Sequence, residues 1–155
     1  MESLKEAFIE MAKTPDEFIA AIQGASEAAL PKRPDEKNWS AKEIICHVRD
    51  TEEFFLDRFQ MILSFDEPIF SPADAERWAA ERQYLRNDAG EALSAFRRRR
   101  QETLQFLKGL TAGQWERSCI HKIRGRMTLR DYFNLLRGHD KIHLDQVKRA
   151  LAGKP

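Results

Sequence analysis

His139 and His143 stand four residues apart in "GHDKIHLDQV", a spacing that places two imidazoles on the same face of a helix, roughly 6 Å apart along its axis. Turning about 100° per residue, Leu129, Tyr132, Leu136, His139, His143, Val147 and Ala150 fall within one narrow arc. Both histidines therefore belong to the buried face of that helix. Far upstream, His47 in "NWSAKEIICHVRDTEEFF" shares an apolar arc with Ile44, Thr51 and Phe54 and would project into the same interior. Neutral imidazoles bind zinc or nickel at about 2 Å, and three of them leave coordination positions open for water or substrate. The competing reading is three core histidines held by hydrogen bonds. A zinc-protease reading of "HDKIH" fails on its details: Asp140 stands where that motif has Glu, and Arg149 occupies the place of a third downstream histidine. A third ligand must come from upstream, which suits a helical bundle.

The elements that must position these side chains are legible from periodicity and caps. A first helical region is expected over about Leu4–Leu30, with Thr14 and Pro15 restarting or bending it. "PKRPDEKN" then breaks the chain. Ser40 as N-cap, Glu43 closing a capping box, and Trp39 with Ile44 as a hydrophobic staple predict a helix over about Ala41–Leu63. "SFDEPIFSP" ends it. A third helical region is expected over about Ala73–Lys108, bent or re-capped near Asn87 and Asp88, and a fourth from Thr128 to about Leu151 with Asp131 at the third position. Between the last two, "SCIHKIRGRM" suits a short extended hairpin. The fold class expected is all-α: four long helices forming one bundle domain over residues 1–155.

Composition narrows the function classes. Lys plus Arg number 26 against 25 Asp plus Glu, for a net charge of +1, which gives no global pull towards nucleic acid or an acidic membrane. The amino-terminal stretch carries acids throughout, and nowhere do about 18 consecutive apolar residues occur. A soluble cytoplasmic protein acting on a small molecule is the expectation, with no nucleic-acid or membrane partner. Cys46 and Cys119 are the only cysteines, without the paired spacing of a zinc knuckle, and read as reduced thiols.

Four other features bear on function. "FRRRR", Phe96 to Arg100, reads as a solvated helix face except for Arg100, which falls on the apolar seam with Leu93, Phe96, Leu104 and Leu107. There it is expected to pair with a buried carboxylate, the alternative being an anionic substrate. His121 reads as a surface histidine, or as a proton shuttle or fourth ligand near the metal. Asp50 would orient a ligand or simply sit as helix charge. Phe54, Phe55 and Phe59 read as core.

Taken together, "NWSAKEIICHVRDTEEFF" and "GRMTLRDYFNLLRGHDKIHLDQVKRAL" resemble the DinB-like superfamily of metal-binding four-helix bundles, grouped with the YfiT-like metal-dependent hydrolases. The resemblance implies an up-down-down-up bundle, often a homodimer, with zinc, nickel or another divalent ion on His47, His139 and His143. It also implies two enzyme chemistries: S-transfer from a low-molecular-weight thiol to an electrophile, which is the preferred expectation, or hydrolysis. The alternative to both is a non-catalytic bundle with a structural metal, working through dimerisation or partner binding. Because Cys46 points about 100° away from His47 and Cys119 lies in the loop, a reacting thiol is expected to come from outside the chain.

Overall fold

A computed structural model describes residues 3–155. Four long helices, α1 (Leu4–Ile22), α2 (Ala41–Ser64), α4 (Ala89–Lys108) and α6 (Leu129–Leu151), carry the fold. Shorter elements join them: β1 (Ile69–Phe70), α3 (Ala75–Glu81), a 3-10 turn over Tyr84–Arg86, α5 (Ala112–Trp115), β2 (Ser118–His121) and β3 (Gly125–Thr128).

The caps form as the sequence predicts. Ser40 and Glu43 close a reciprocal capping box on α2, and Thr128 and Asp131 close another on α6. Each satisfies two otherwise orphaned backbone donors and so fixes which residue begins the helix. Asp88 re-caps the chain at α4, its side chain accepting from the Glu91 N–H. Two expected boundaries move. The first helix ends at Ile22 instead of about Leu30, where Gly24 takes a positive φ of 84° that only glycine adopts without strain. The third region is not one bent helix, because Gln83 at φ 50° separates α3 and the 3-10 turn from α4.

Pro15 lies inside α1 without ending it. Having no N–H, it leaves the Met11 carbonyl four residues back without its helical donor. Arg100 Nη1, reaching across from α4, donates to that oxygen at 3.0 Å. A tertiary contact thus replaces the hydrogen bond that the proline removes.

Contacts give the topology. α1 packs on α4 and α6, and α2 packs on the same two helices, so consecutive long helices α1 and α2 lie diagonally across the bundle. Met11 meets Arg100 and Asp16 meets Arg97, which makes α1 and α4 antiparallel. His47 meets His143 while Phe59 meets Tyr132, so α2 and α6 are antiparallel. Both α2 and α4 run from the cluster holding Ile44 and Leu93 to the one holding Phe59 and Leu107, and are therefore parallel. The result is up-down-down-up.

A small sheet, β1-β2-β3, covers one end of the bundle. The expected hairpin is β2–β3, with Ser118 opposite Thr128 and His121 opposite Gly125. β1 adds in parallel, with Phe70 opposite His121, and nothing in the two-residue strand signals this beforehand. Two apolar clusters fill the bundle, one around Phe59, Tyr132 and Phe133, the other around Phe18, Ile44 and Phe96. Between them lies a polar layer.

Candidate metal centre

The histidines of that layer come from α2 and α6. His47 is buried under the Trp39 ring, whose centroid is 5.0 Å away. His139 and His143, one turn apart, face it with ring centroids 5.0 and 4.6 Å from His47 and 4.2 Å from each other. One nitrogen from each of the three lies within 4.8 Å of the others. The Nε2 atoms of His47 and His139 are 2.9 Å apart.

Burial sets the protonation state. Desolvation, with the neighbouring His143 adding to it, pulls the His47 pKa down to about 3. His139 falls well below the usual imidazole range for the same reasons, and burial lowers His143 as well. At neutral pH all three are uncharged, which is the form that donates a lone pair to a metal.

The arrangement fits a divalent ion. Two imidazole nitrogens at about 2.0–2.1 Å from a shared ion and at right angles to each other are separated by about 2.9 Å. A direct hydrogen bond between His47 and His139 has that length too, but it does not satisfy the cluster. Nδ1 of His47, Nδ1 of His139 and Nε1 of Trp39 are all buried without a hydrogen-bond partner among the described residues. Only the outer nitrogen of His143 is held, by Gln146 Oε1 at 2.7 Å, the kind of contact that fixes the tautomer of a ligating histidine with Nε2 facing the metal. An ion would not satisfy those Nδ1 atoms, since it would be held through Nε2. What points to it is the bare Nε2 lone pair left on His143 by the bond from its Nδ1–H to Gln146, beside the paired Nε2 atoms of His47 and His139.

The trio lines a cavity of about 410 Å³ shared with Trp39, Phe54, Phe55, Leu135, Tyr132 and His121, within the range of small-molecule sites. His121 is neither on the surface nor part of the histidine cluster. It sits buried on β2, where its Nδ1 accepts from the backbone N–H groups of Ile123 and Arg124 at 3.2 Å each. That bonding leaves Nε2 as its proton-bearing nitrogen, and burial with Arg58 and Arg124 nearby lowers its pKa. Phe59 is core as expected, but Phe54 and Phe55 also wall the cavity. So does Arg58, which sequence reading passed over. Its signal was there: His47, Thr51, Phe54, Phe55 and Arg58 recur at the spacing of one helix face.

Asp50 does not serve a histidine. Its carboxylate accepts from Tyr84 Oη at 2.7 Å and lies 2.9, 2.8 and 3.3 Å from Arg49, Arg82 and Arg99. Burial alone would push the Asp50 carboxyl up, but hydrogen bonds from Arg49, Arg82 and Tyr84 outweigh it and hold the pKa at about 2. Arg100, in contrast, does pair with buried carboxylates. Its Nε and Nη2 grip Glu52 at 2.8 and 2.7 Å, and Nη2 also lies 2.8 Å from Asp140 Oδ2. That second contact is ionic, since Oδ2 has no directed hydrogen bond. The rest of the arginine run disperses: Arg97 pairs with Asp16, and Arg99 with Asp50 and Glu53.

The family model of the DinB superfamily matches residues 10–147, and the chain belongs to that superfamily. Among solved structures it is similar to YfiT from Bacillus subtilis, described as a probable metal-dependent hydrolase with an unusual four-helix bundle topology. The TM-score is 0.87 at 18% identity, over 97% of this chain and 88% of that one, a likeness of fold. Two relatives carry the name "putative metal-dependent hydrolase". One, from Oceanobacillus iheyensis, is 21% identical over 84% of this chain and 75% of its own. The other, from Halalkalibacterium halodurans, is 23% identical over 92% and 82% respectively. Among the described residues no helix is long and apolar enough to cross a membrane.

Proposed function

We propose that His47, His139 and His143 hold one divalent ion, zinc or nickel, and that the protein is a metal-dependent hydrolase of a small molecule bound in the adjoining cavity. The observation that carries this reading is the meeting of three neutral imidazoles on the wall of a cavity that, among the described residues, brings no fourth protein ligand to them. Three-ligand sites are the catalytic pattern, whereas structural zinc sites are closed by four. Such an ion supplies Lewis acidity, making water nucleophilic near neutral pH and polarising a carbonyl. The chain's own residues do the rest. Gln146 orients His143, Trp39 packs over His47, and Phe54, Phe55 and Leu135 exclude water from the substrate's apolar part. His121 offers a hydrogen-bond donor from β2. The names of the two relatives and of YfiT support hydrolysis over the thiol transfer that the sequence first favours. Cys46 and Cys119 are both buried, and burial raises both thiols, so neither is a ready internal nucleophile.

Two measurements test the reading. Elemental analysis of untagged protein should find about one divalent ion per chain; less than a tenth of an equivalent after reconstitution with zinc, nickel and manganese would end it. Loaded protein should then hydrolyse members of an ester and amide panel, and His139→Ala should not. Conjugation of an electrophile that requires an added cellular thiol, with no hydrolysis in its absence, would instead make the protein an S-transferase.

A further inference from the structure

The cavity beside the histidines is electrostatically one-sided. Two cations line it, Arg58 and Arg124, and among the described residues no carboxylate does. Arg58 is held in place entirely by neutral groups. Its guanidinium carbon lies 3.9 Å from the Phe54 ring centroid and 4.6 Å from that of Phe70, Nη1 donates to Tyr132 Oη at 2.9 Å, and Nη2 donates to the Ser71 carbonyl. A half-buried guanidinium without a carboxylate keeps its full charge directed at whatever fills the neighbouring space. Arg124 sits at the turn of the β2–β3 hairpin, and among the described residues its side chain likewise makes no ion pair. Both cations help to lower the His121 pKa beside them. Three neutral imidazoles would leave the charge of a bound divalent ion uncancelled, adding to the same sign. The remaining wall is aromatic and aliphatic: Trp39, Phe54, Phe55 and Leu135.

We propose that the cavity selects an acidic small molecule, an apolar aryl or alkyl body carrying a carboxylate that sets against Arg58 and Arg124. This deepens the hydrolase reading and rests on it for what happens next to the metal. Arg58 supplies the fixed donor, pre-oriented by its two aromatic neighbours, and Arg124 closes over the ligand from the hairpin. Specificity then comes from charge at one end and ring packing at the other.

The test uses full-length protein freed of metal with a chelator, so that a carboxylate cannot gain affinity by coordinating an ion. Isothermal titration compares 3-phenylpropanoate with 3-phenylpropanamide, which differ only in the charged end. The acid should bind about tenfold tighter or more, the worth of charge-assisted hydrogen bonds. In Arg124→Ala, an exposed position that should leave folding intact, and in Arg58→Gln, checked by circular dichroism, the preference should shrink to about threefold or less. Equal binding of acid and amide, binding of neither, or an acid preference untouched in both variants would overturn the proposal. A preference for the acid in protein that takes up no metal would leave the ligand class standing and remove the hydrolase. Metal uptake without an acid preference would do the reverse.

Discussion

Neighbouring residues on α6, His139 and Asp140, head two buried polar clusters that share one layer of the bundle and differ in a single respect. Around Asp140, the Arg100 guanidinium meets Glu52 through two bonds, Asp140 through an ionic contact and the Met11 carbonyl through a third bond. Around His139, two buried ring nitrogens and a neighbouring indole N–H find no hydrogen-bond partner among the described residues. The first cluster is closed on itself by charge and pins all four long helices together. The second is open towards a cavity. The open cluster turns its Nε2 atoms to one point on a cavity wall and so can take a ligand, while the closed one serves the fold.

The largest expected effect comes from breaking the closed side. Arg100→Met strands Glu52 and Asp140 in the interior and should cost about 3–5 kcal/mol in urea unfolding of metal-free protein. A loss under about 1 kcal/mol would put that cluster in the same class as an ordinary surface ion pair and erase the contrast. On the open side, His143→Ala should lower metal affinity by more than about 100-fold, beyond what loss of an orienting neighbour costs, while His121→Ala should change it far less. Equal losses in a metal titration would move the site towards the sheet.

Asp50 gives a pH test of the same contrast, because it too is satisfied within the protein. Its folded pKa of about 2 lies below the unfolded value near 3.9, so its stabilisation is complete above about pH 4 and is lost as pH falls towards 2. That contribution, about 2.6 kcal/mol, should be missing from the acid limb of Asp50→Asn, measured by urea unfolding at pH steps from 7 to 2. An acid limb identical in the two proteins would count against it. The smallest effect expected is that of Gln146→Leu, which frees the outer nitrogen of His143 and should weaken metal binding by about tenfold with folding unchanged.

How much of this was written in the sequence follows from what each feature depends on. The starts of α2 and α6 were readable because a capping box is settled within four residues, at Ser40–Glu43 and Thr128–Asp131. The meeting of His47 with His139 and His143 was readable because two helix faces and a bundle leave few other places for them. Asp50 was misread because Arg82, Tyr84 and Arg99 from other segments, together with its neighbour Arg49, decide its partners. His121 was misread because its burial comes from the sheet, through a strand, β1, too short to leave a periodic signal. Gly24 was visible and undervalued, and the first helix was drawn too long as a result.

Pro15 has a bearing on why this bundle has one topology and not another. Because the proline denies the Met11 oxygen its local donor, α1 carries a fixed address that only a long donor on the facing helix can fill. In an up-down-up-down arrangement, with α1 beside α2, Arg100 would stand across the diagonal and that oxygen would be left dry. A residue usually counted as a helix breaker thus acts as a key, admitting the single pairing of α1 with α4 in which the Arg100 lock is already turned by Glu52.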